Sequence, residues 1–259
     1  MDDEAALEAL AEATAAMAAT VHDLDLAAPV PACPGWDAAK LVDHLGRVHL
    51  WAEHCARVGT EPDPYPHRDR RQPIEDWYAA AAEALVTTLA ALPPDQPAWS
   101  FSAEPGTQRT GFWRRRQFHE TTVHRVDALQ ALGRVPTSGM VSSVPPLSAE
   151  QAADGVHEVL AILVPRTLVR RADEAPARVV PAELPVALRC DDVARAFTVR
   201  LREGRAEVAD GAAADSVACV RGPATHLYLS LWGRADGSLL TVEGDQEAGR
   251  ALLKASLVP

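Results

Sequence analysis

Apolar positions recur with a helical period through the first half of the chain and with a strand period through much of the second. From Asp3 to about Asp23, Leu7, Leu10, Ala11, Met17, Ala18 and Val21 form one apolar stripe, interrupted by Thr14, which predicts a helix. Three prolines and Gly35 break the pattern between Pro29 and Trp36, and Asp37 is a good N-cap for a second helix to about Val58. A polar, proline-rich loop covers Thr60 to Pro73. A third helix is expected over Ile74 to Leu92, stopped by Pro93-Pro94. After an irregular stretch from Ala98 to Gly111, a fourth runs from about Phe112 to Leu132, ended by Gly133 and Pro136. Four helices with one long connection indicate a bundle.

After Pro136 the pattern changes. Thr137 to Pro146 is rich in Ser, Pro and Gly and reads as an interdomain linker. A helix over Ser148 to Val169 follows, and beyond Arg178 short strands dominate. Ala196 to Leu201 alternates, Glu203-Gly204 is a plausible hairpin turn into Ala206 to Val208, and Ser216 to Val220 and Leu239 to Val242 are further strands. Helices are expected over Pro223 to Trp232 and Asp245 to Leu253. The expected organisation is a four-helix domain over 1–140 and a smaller α+β domain over 141–259.

Composition narrows the class without fixing the chemistry. At 259 residues, with 47% hydrophobic and 24% charged, the chain is an ordinary globular one, long enough for two cores. A net charge of −11 argues against nucleic acid or an anionic membrane as partner. No apolar run spans a membrane, and the acidic Met1-Asp2-Asp3-Glu4 start does not resemble a targeting segment, so a cytoplasmic protein is expected. Cys33, Cys55, Cys190 and Cys219 have no C-x-x-C pairing, and buried inert thiols are expected for at least three of them, Cys33 being closest to the candidate chemistry. Arg114-Arg115-Arg116 is the densest basic run, either a solvated or salt-bridged turn or the lining of a cleft for an anion.

The chemistry concentrates in Phe118 to His124. Glu120 and His124 are four apart on a helix and share a face, so both can reach one cation. His119 is five from His124, so this is not the zincin H-E-x-x-H pattern. His44 is the best third ligand, because Leu41, Val48 and Trp51 around it turn it toward the bundle interior. His49 lies roughly 140° around the helix from it. Asp127, three after His124, could accept from its imidazole. Against this, a Glu and a His at this spacing are more often a surface pair, an inward His more often a satisfied core residue, and Arg116 could simply ion-pair with Glu120.

The run Val30-Pro31-Ala32-Cys33-Pro34-Gly35-Trp36-Asp37, the run Leu41 to Leu45 and the stretch His119 to Ala128 resemble the mycothiol-dependent maleylpyruvate isomerase family. Val220 to Ala224 and Leu231-Trp232-Gly233-Arg234 are similar to its second domain, so nearly the whole chain is covered. The resemblance implies a DinB-like four-helix domain followed by a smaller α+β domain. It implies metal ligands at His44, Glu120 and His124, with zinc the expected ion, and mycothiol as cofactor. Arg234, or else Arg221, would match the family's catalytic basic residue. Val126 stands where the family commonly has a tryptophan, at a position that would line the cleft.

Three protein ligands leave room for a thiol held as thiolate. The implied activity is isomerisation of a small maleylpyruvate-like electrophile by thiolate addition, bond rotation and elimination, or S-transfer if the reaction stops at the conjugate. Arginine donors, among Arg114, Arg115, Arg116 and Arg234, would stabilise the developing charge. A metal-dependent hydrolase is the alternative, with Asp127, Asp43 or Glu53 as general base. A non-catalytic metal- or small-molecule-binding protein is the other.

Overall fold

A computed structural model describes residues 1–137, 147–170, 185–202, 205–255 and 257–258. It divides into two compact units, Met1–Val135 and Pro136–Pro259. Apart from Thr137, the expected linker lies outside the described residues, as does the expected Glu203-Gly204 turn.

The first unit is built from α1 (Asp3–His22), α2 (Ala38–Val58), α3 (Ile74–Ala91) and α4 (Thr110–Ala131). Local chemistry sets their ends. Asp2 caps α1 by accepting from Ala5 N, Asp37 caps α2 by accepting from Lys40 N, and Gly59 at φ 83° closes α2 in the left-handed region. Helix α4 begins two residues before the expected Phe112. There Thr110 N and Gly111 N donate to Gln96 O and Pro94 O, and Arg109 reaches Asp3, which together fix the entry. The helices form a bundle in which α1 packs on α3 and α4, and α2 packs on the same two. Met17, Val21, Leu41, Leu45, Trp77 and Tyr78 are among its buried core.

Arg114 departs from both expectations for the basic run, a solvated or salt-bridged turn and a cleft lining. Its guanidinium is buried and donates to Leu89 O and Leu92 O, the carbonyls that the end of α3 leaves unpaired, and to Asp3 O. It ties three helices together.

The second unit opens with α5 (Ala149–Glu158), started by a Ser148/Gln151 capping box. The helix expected over Ser148 to Val169 is interrupted by a π-helical turn at Val159–Leu163 before α6 (Val164–Arg170). The strands are β1 (Val186–Cys190), β2 (Ala196–Arg202), β3 (Arg205–Asp210), β4 (Ala218–Gly222) and β5 (Thr241–Gly244), in the order β3-β2-β1-β4-β5. Only β1 and β4 run parallel. Their register puts Val186, Leu188, Phe197, Val199 and Val220 on one buried face. Helices α7 (Ala224–Leu231) and α8 (Gln246–Lys254) pack on the sheet, α8 capped by Asp245. Leu239 and Leu240, expected to start a strand, instead precede β5 in a turn closed by Leu240 N to Gly237 O at 2.9 Å. The chain is therefore a four-helix bundle followed by an α+β unit. Among the described residues, no helix is long and apolar enough to cross a membrane.

Candidate metal centre

Helices α2 and α4 bring three side chains to one point. His44 Nε2 lies 3.4 Å from Glu120 Oε1, and His124 Nε2 lies 3.2 Å from the same oxygen. The ligand atoms of the three residues all lie within 4.8 Å of one another. Zinc–nitrogen and zinc–oxygen bonds of about 2.1 Å at tetrahedral angles separate neighbouring donors by about 3.4 Å, so the donor set fits such an ion. Exposure is graded across the site: the side chains of His124 and Glu120 are 9% and 13% exposed, whereas that of His44 is 36% exposed. His44 thus stands on the solvent side of the cluster rather than in the bundle interior, because α2 turns it only partly toward α4.

Each donor atom is oriented by a neighbour. Arg116, one turn before Glu120 on α4, is buried and pairs with Glu120 Oε2, which leaves Oε1 facing both imidazoles. Asp127 is fully buried, and its Oδ2 lies 2.9 Å from His124 Nδ1, so Nε2 is the nitrogen turned to the cluster. Cys33 donates to the same Asp127 oxygen at 3.7 Å. The ring of Trp36 meets His44 at 5.0 Å in an edge-on arrangement, and the rings of His44 and His124 are themselves 5.1 Å apart at 82°.

Charge follows geometry. Burial acts to raise the Glu120 pKa, but the Arg116 guanidinium and then His124 outweigh it and hold the carboxyl well below the usual range. Burial likewise acts to lower the His124 pKa, yet Glu120 and Asp127 hold it up at about 9. The cluster thus sets an ionised Glu120 carboxylate against the positive charge of Arg116 and His124.

Beside this cluster lies a buried polar group formed by His49, Gln117 and Tyr78. His49 Nδ1 is 2.9 Å from Gln117 Oε1, and the Tyr78 hydroxyl is 3.5 Å from His49 Nε2. Burial pushes the His49 pKa down to about 4 despite the Gln117 hydrogen bond. His49 is fully buried, and facing relative to His44 had not signalled that. His119 is also fully buried, against Phe118, and does not join the metal-ligand group. Val126 is completely buried on α4, so it packs in the bundle instead of lining an open cleft.

The other candidates have defined surroundings. Asp43 pairs with Arg68 and Arg47, and Glu53 pairs with Arg57 and accepts from Thr88. In the second unit, Arg221 pairs with Asp191 and Glu243. Arg234 donates to Trp232 O at 2.6 Å, its guanidinium 5.6 Å from the Trp232 ring centre. Cys55 and Cys190 are buried free thiols, with pKa values pushed up by burial to about 12 and about 11, but Cys219 is only half-buried, one short of the three expected. The four-residue step signals the Arg116–Glu120 pair in the sequence, whereas the contacts of Cys33 and Trp36 with the cluster have no such signal.

Comparison with known proteins gives matches to both units. Residues 7–129 match the mycothiol maleylpyruvate isomerase N-terminal domain, and residues 150–251 match the MDMPI C-terminal domain. Among solved structures, the crystal structure of the mycothiol-dependent maleylpyruvate isomerase aligns over 94% of this chain and 93% of its own. Its TM-score is 0.57 at 12% identity, a likeness of fold. No curated protein matches the sequence.

Proposed function

Because the chain belongs to the mycothiol-dependent maleylpyruvate isomerase family, we propose that it is an isomerase or S-transferase using mycothiol and a divalent metal on a small conjugated electrophile. His44, Glu120 and His124 are the proposed ligands, and the observation that supports them is their convergence within 4.8 Å. A zinc or similar ion bound there supplies the Lewis acidity that keeps a low-molecular-weight thiol as its thiolate at neutral pH.

The residues around the cluster have separable tasks in this reading. Arg116 engages Glu120 Oε2 and so would leave Oε1 to an ion, Asp127 fixes the His124 ring, and the solvent-side position of His44 leaves an approach for thiol and substrate. Addition of a thiol across a conjugated double bond develops negative charge on the substrate carbonyl, which calls for a cationic donor. Arg114 and Arg116 are committed to backbone carbonyls and to Glu120. The resemblance of Leu231-Trp232-Gly233-Arg234 to the family's second domain makes Arg234 the proposed catalytic cation.

A hydrolase would need a general base beside the metal. Asp127 already accepts from His124 and Cys33, and Asp43 and Glu53 are ion-paired, which favours the thiol reading. The test is an assay of maleylpyruvate and other conjugated electrophiles with the zinc-loaded chain. Turnover that requires mycothiol and falls sharply in Arg234→Ala is expected, and thiol-independent hydrolysis would overturn the proposal.

A further inference from the structure

From the contacts of one short loop with the His44 imidazole and with the carboxylate that holds His124, we infer that the segment Val30–Asp37 is the positioning element of the metal site, with Cys33 and Trp36 as its two working residues. The inference rests on the metal reading of His44, Glu120 and His124. It concerns how the chain fixes those rings, which the ligand set alone does not explain.

The loop is a closed, hydrogen-bonded unit. Val30 N donates to Trp36 O at 3.0 Å, Cys33 N to Val30 O at 3.1 Å and Trp36 N to Cys33 O at 2.9 Å. Pro29 and Asp37 form a bridge across its base, and Gly35 takes φ +81° with open space around it, a conformation an L side chain resists. Val30 anchors it in the bundle core, and Asp37 continues directly into α2 as its cap. A loop tied this way moves as one body with the start of α2.

Two side chains leave that body toward the cluster. Trp36 packs edge-on against His44, restricting rotation of the solvent-side imidazole. Cys33 donates to Asp127 Oδ2, the atom that also holds His124 Nδ1. The thiol keeps that oxygen in place, and through it the tautomer and tilt of His124. One loop therefore bears on ligands of two different helices, directly on His44 and through Asp127 on His124. Cys33 acts through Asp127 and Trp36 through the His44 ring, so both are positioning residues.

The test uses the full-length chain, stripped of metal by a chelator and titrated with zinc, and separately loaded with cobalt(II), whose visible bands report ligand geometry. Cys33→Ala is expected to weaken zinc about threefold to tenfold, less than loss of a direct outer partner, and to shift the cobalt bands. Cys33→Ser, which retains a donor for Asp127, is expected to stay close to wild type in both. Trp36→Ala is expected to broaden or shift the cobalt bands, and Trp36→Phe, which keeps a ring edge, to restore them. If Trp36→Ala does not fold, Trp36→Phe and the two Cys33 variants decide. A purely structural role would lower the melting temperature and leave the cobalt spectrum and zinc affinity unchanged, and that result overturns the inference. A wild-type chain that takes up no metal overturns the metal reading as well, so the two failures are distinguishable.

Discussion

His124 Nδ1 lies 2.9 Å from Asp127 Oδ2, one turn further along α4, and this contact decides which imidazole nitrogen faces Glu120. With the Nδ1 proton committed to a buried carboxylate, Nε2 is presented 3.2 Å from Glu120 Oε1. A histidine oriented by a carboxylate is the arrangement that tightens a metal ligand and raises its basicity.

Removing that acceptor should therefore act on the metal before it acts on the fold. Asp127→Ala is expected to weaken zinc binding by about 10- to 100-fold. Competition against a chelator of known affinity checks this. An affinity equal to wild type would mean that His124 keeps its orientation without Asp127.

The Arg116–Glu120 pair predicts a coupling between stability and metal. Arg116→Met leaves a carboxylate without its buried counter-charge, and loss of one partner of such a pair costs about 3 kcal/mol. Zinc restores positive charge beside Glu120, so the deficit against wild type should be smaller in zinc-saturated protein than in metal-free protein. Urea unfolding with and without zinc measures both, and an unchanged deficit would contradict the account.

His49 gives the pH dependence. Its folded pKa of about 4 lies below the ordinary 6.5, so between those values the unfolded chain takes up a proton that the folded one does not. The His49 contribution is complete above about pH 6.5 and is lost as pH falls toward 4, a swing of about 3 kcal/mol. His49→Gln cannot titrate, so its stability deficit should narrow by about 2 kcal/mol between pH 7 and pH 5. Unfolding curves at the two pH values test it, and a constant gap would count against a buried neutral imidazole.

Packing between α2 and α3 rests on a missing side chain. A Cβ on Gly46 would lie 2.5 Å from Trp77 Nε1, in the middle of the interface that carries His44's helix. Alanine normally gains about 1 kcal/mol over glycine within a helix. Here Gly46→Ala is expected to be net destabilising, because overpacking costs about 1–3 kcal/mol. Chemical denaturation decides the sign.

Sequence pattern locates α1, α2 and α3 closely because the signals are local: an apolar stripe for α1, Asp37 as the cap of α2, and prolines at both ends of α3. It also selected His44, Glu120 and His124, since helical spacing fixes which side chains share a face. Helix α4 was harder to read. Arg114, Arg116, Gln117, His119 and Asp127 are all buried along it, so polar residues no longer mark the solvent face. Their partners, among them Leu89 O, Glu120 and His49, sit on neighbouring turns or on other helices. Strand β1 has no clear sequence signal for a related reason. It is five residues long and pairs in parallel with β4, so no adjacent hairpin turn announces it. The link from Cys33 to Asp127 spans 94 residues and leaves no periodic trace in the sequence.

The central claim is that His44, Glu120 and His124 together hold one metal ion, and the metal content of Glu120→Ala tests it most directly. Purified wild-type chain is expected to carry about one zinc or similar ion. Glu120→Ala, which removes the only carboxylate donor of the three, is expected to lose most of it while keeping the helical circular dichroism of the bundle. A folded Glu120→Ala chain that retains the full wild-type metal content would contradict the site.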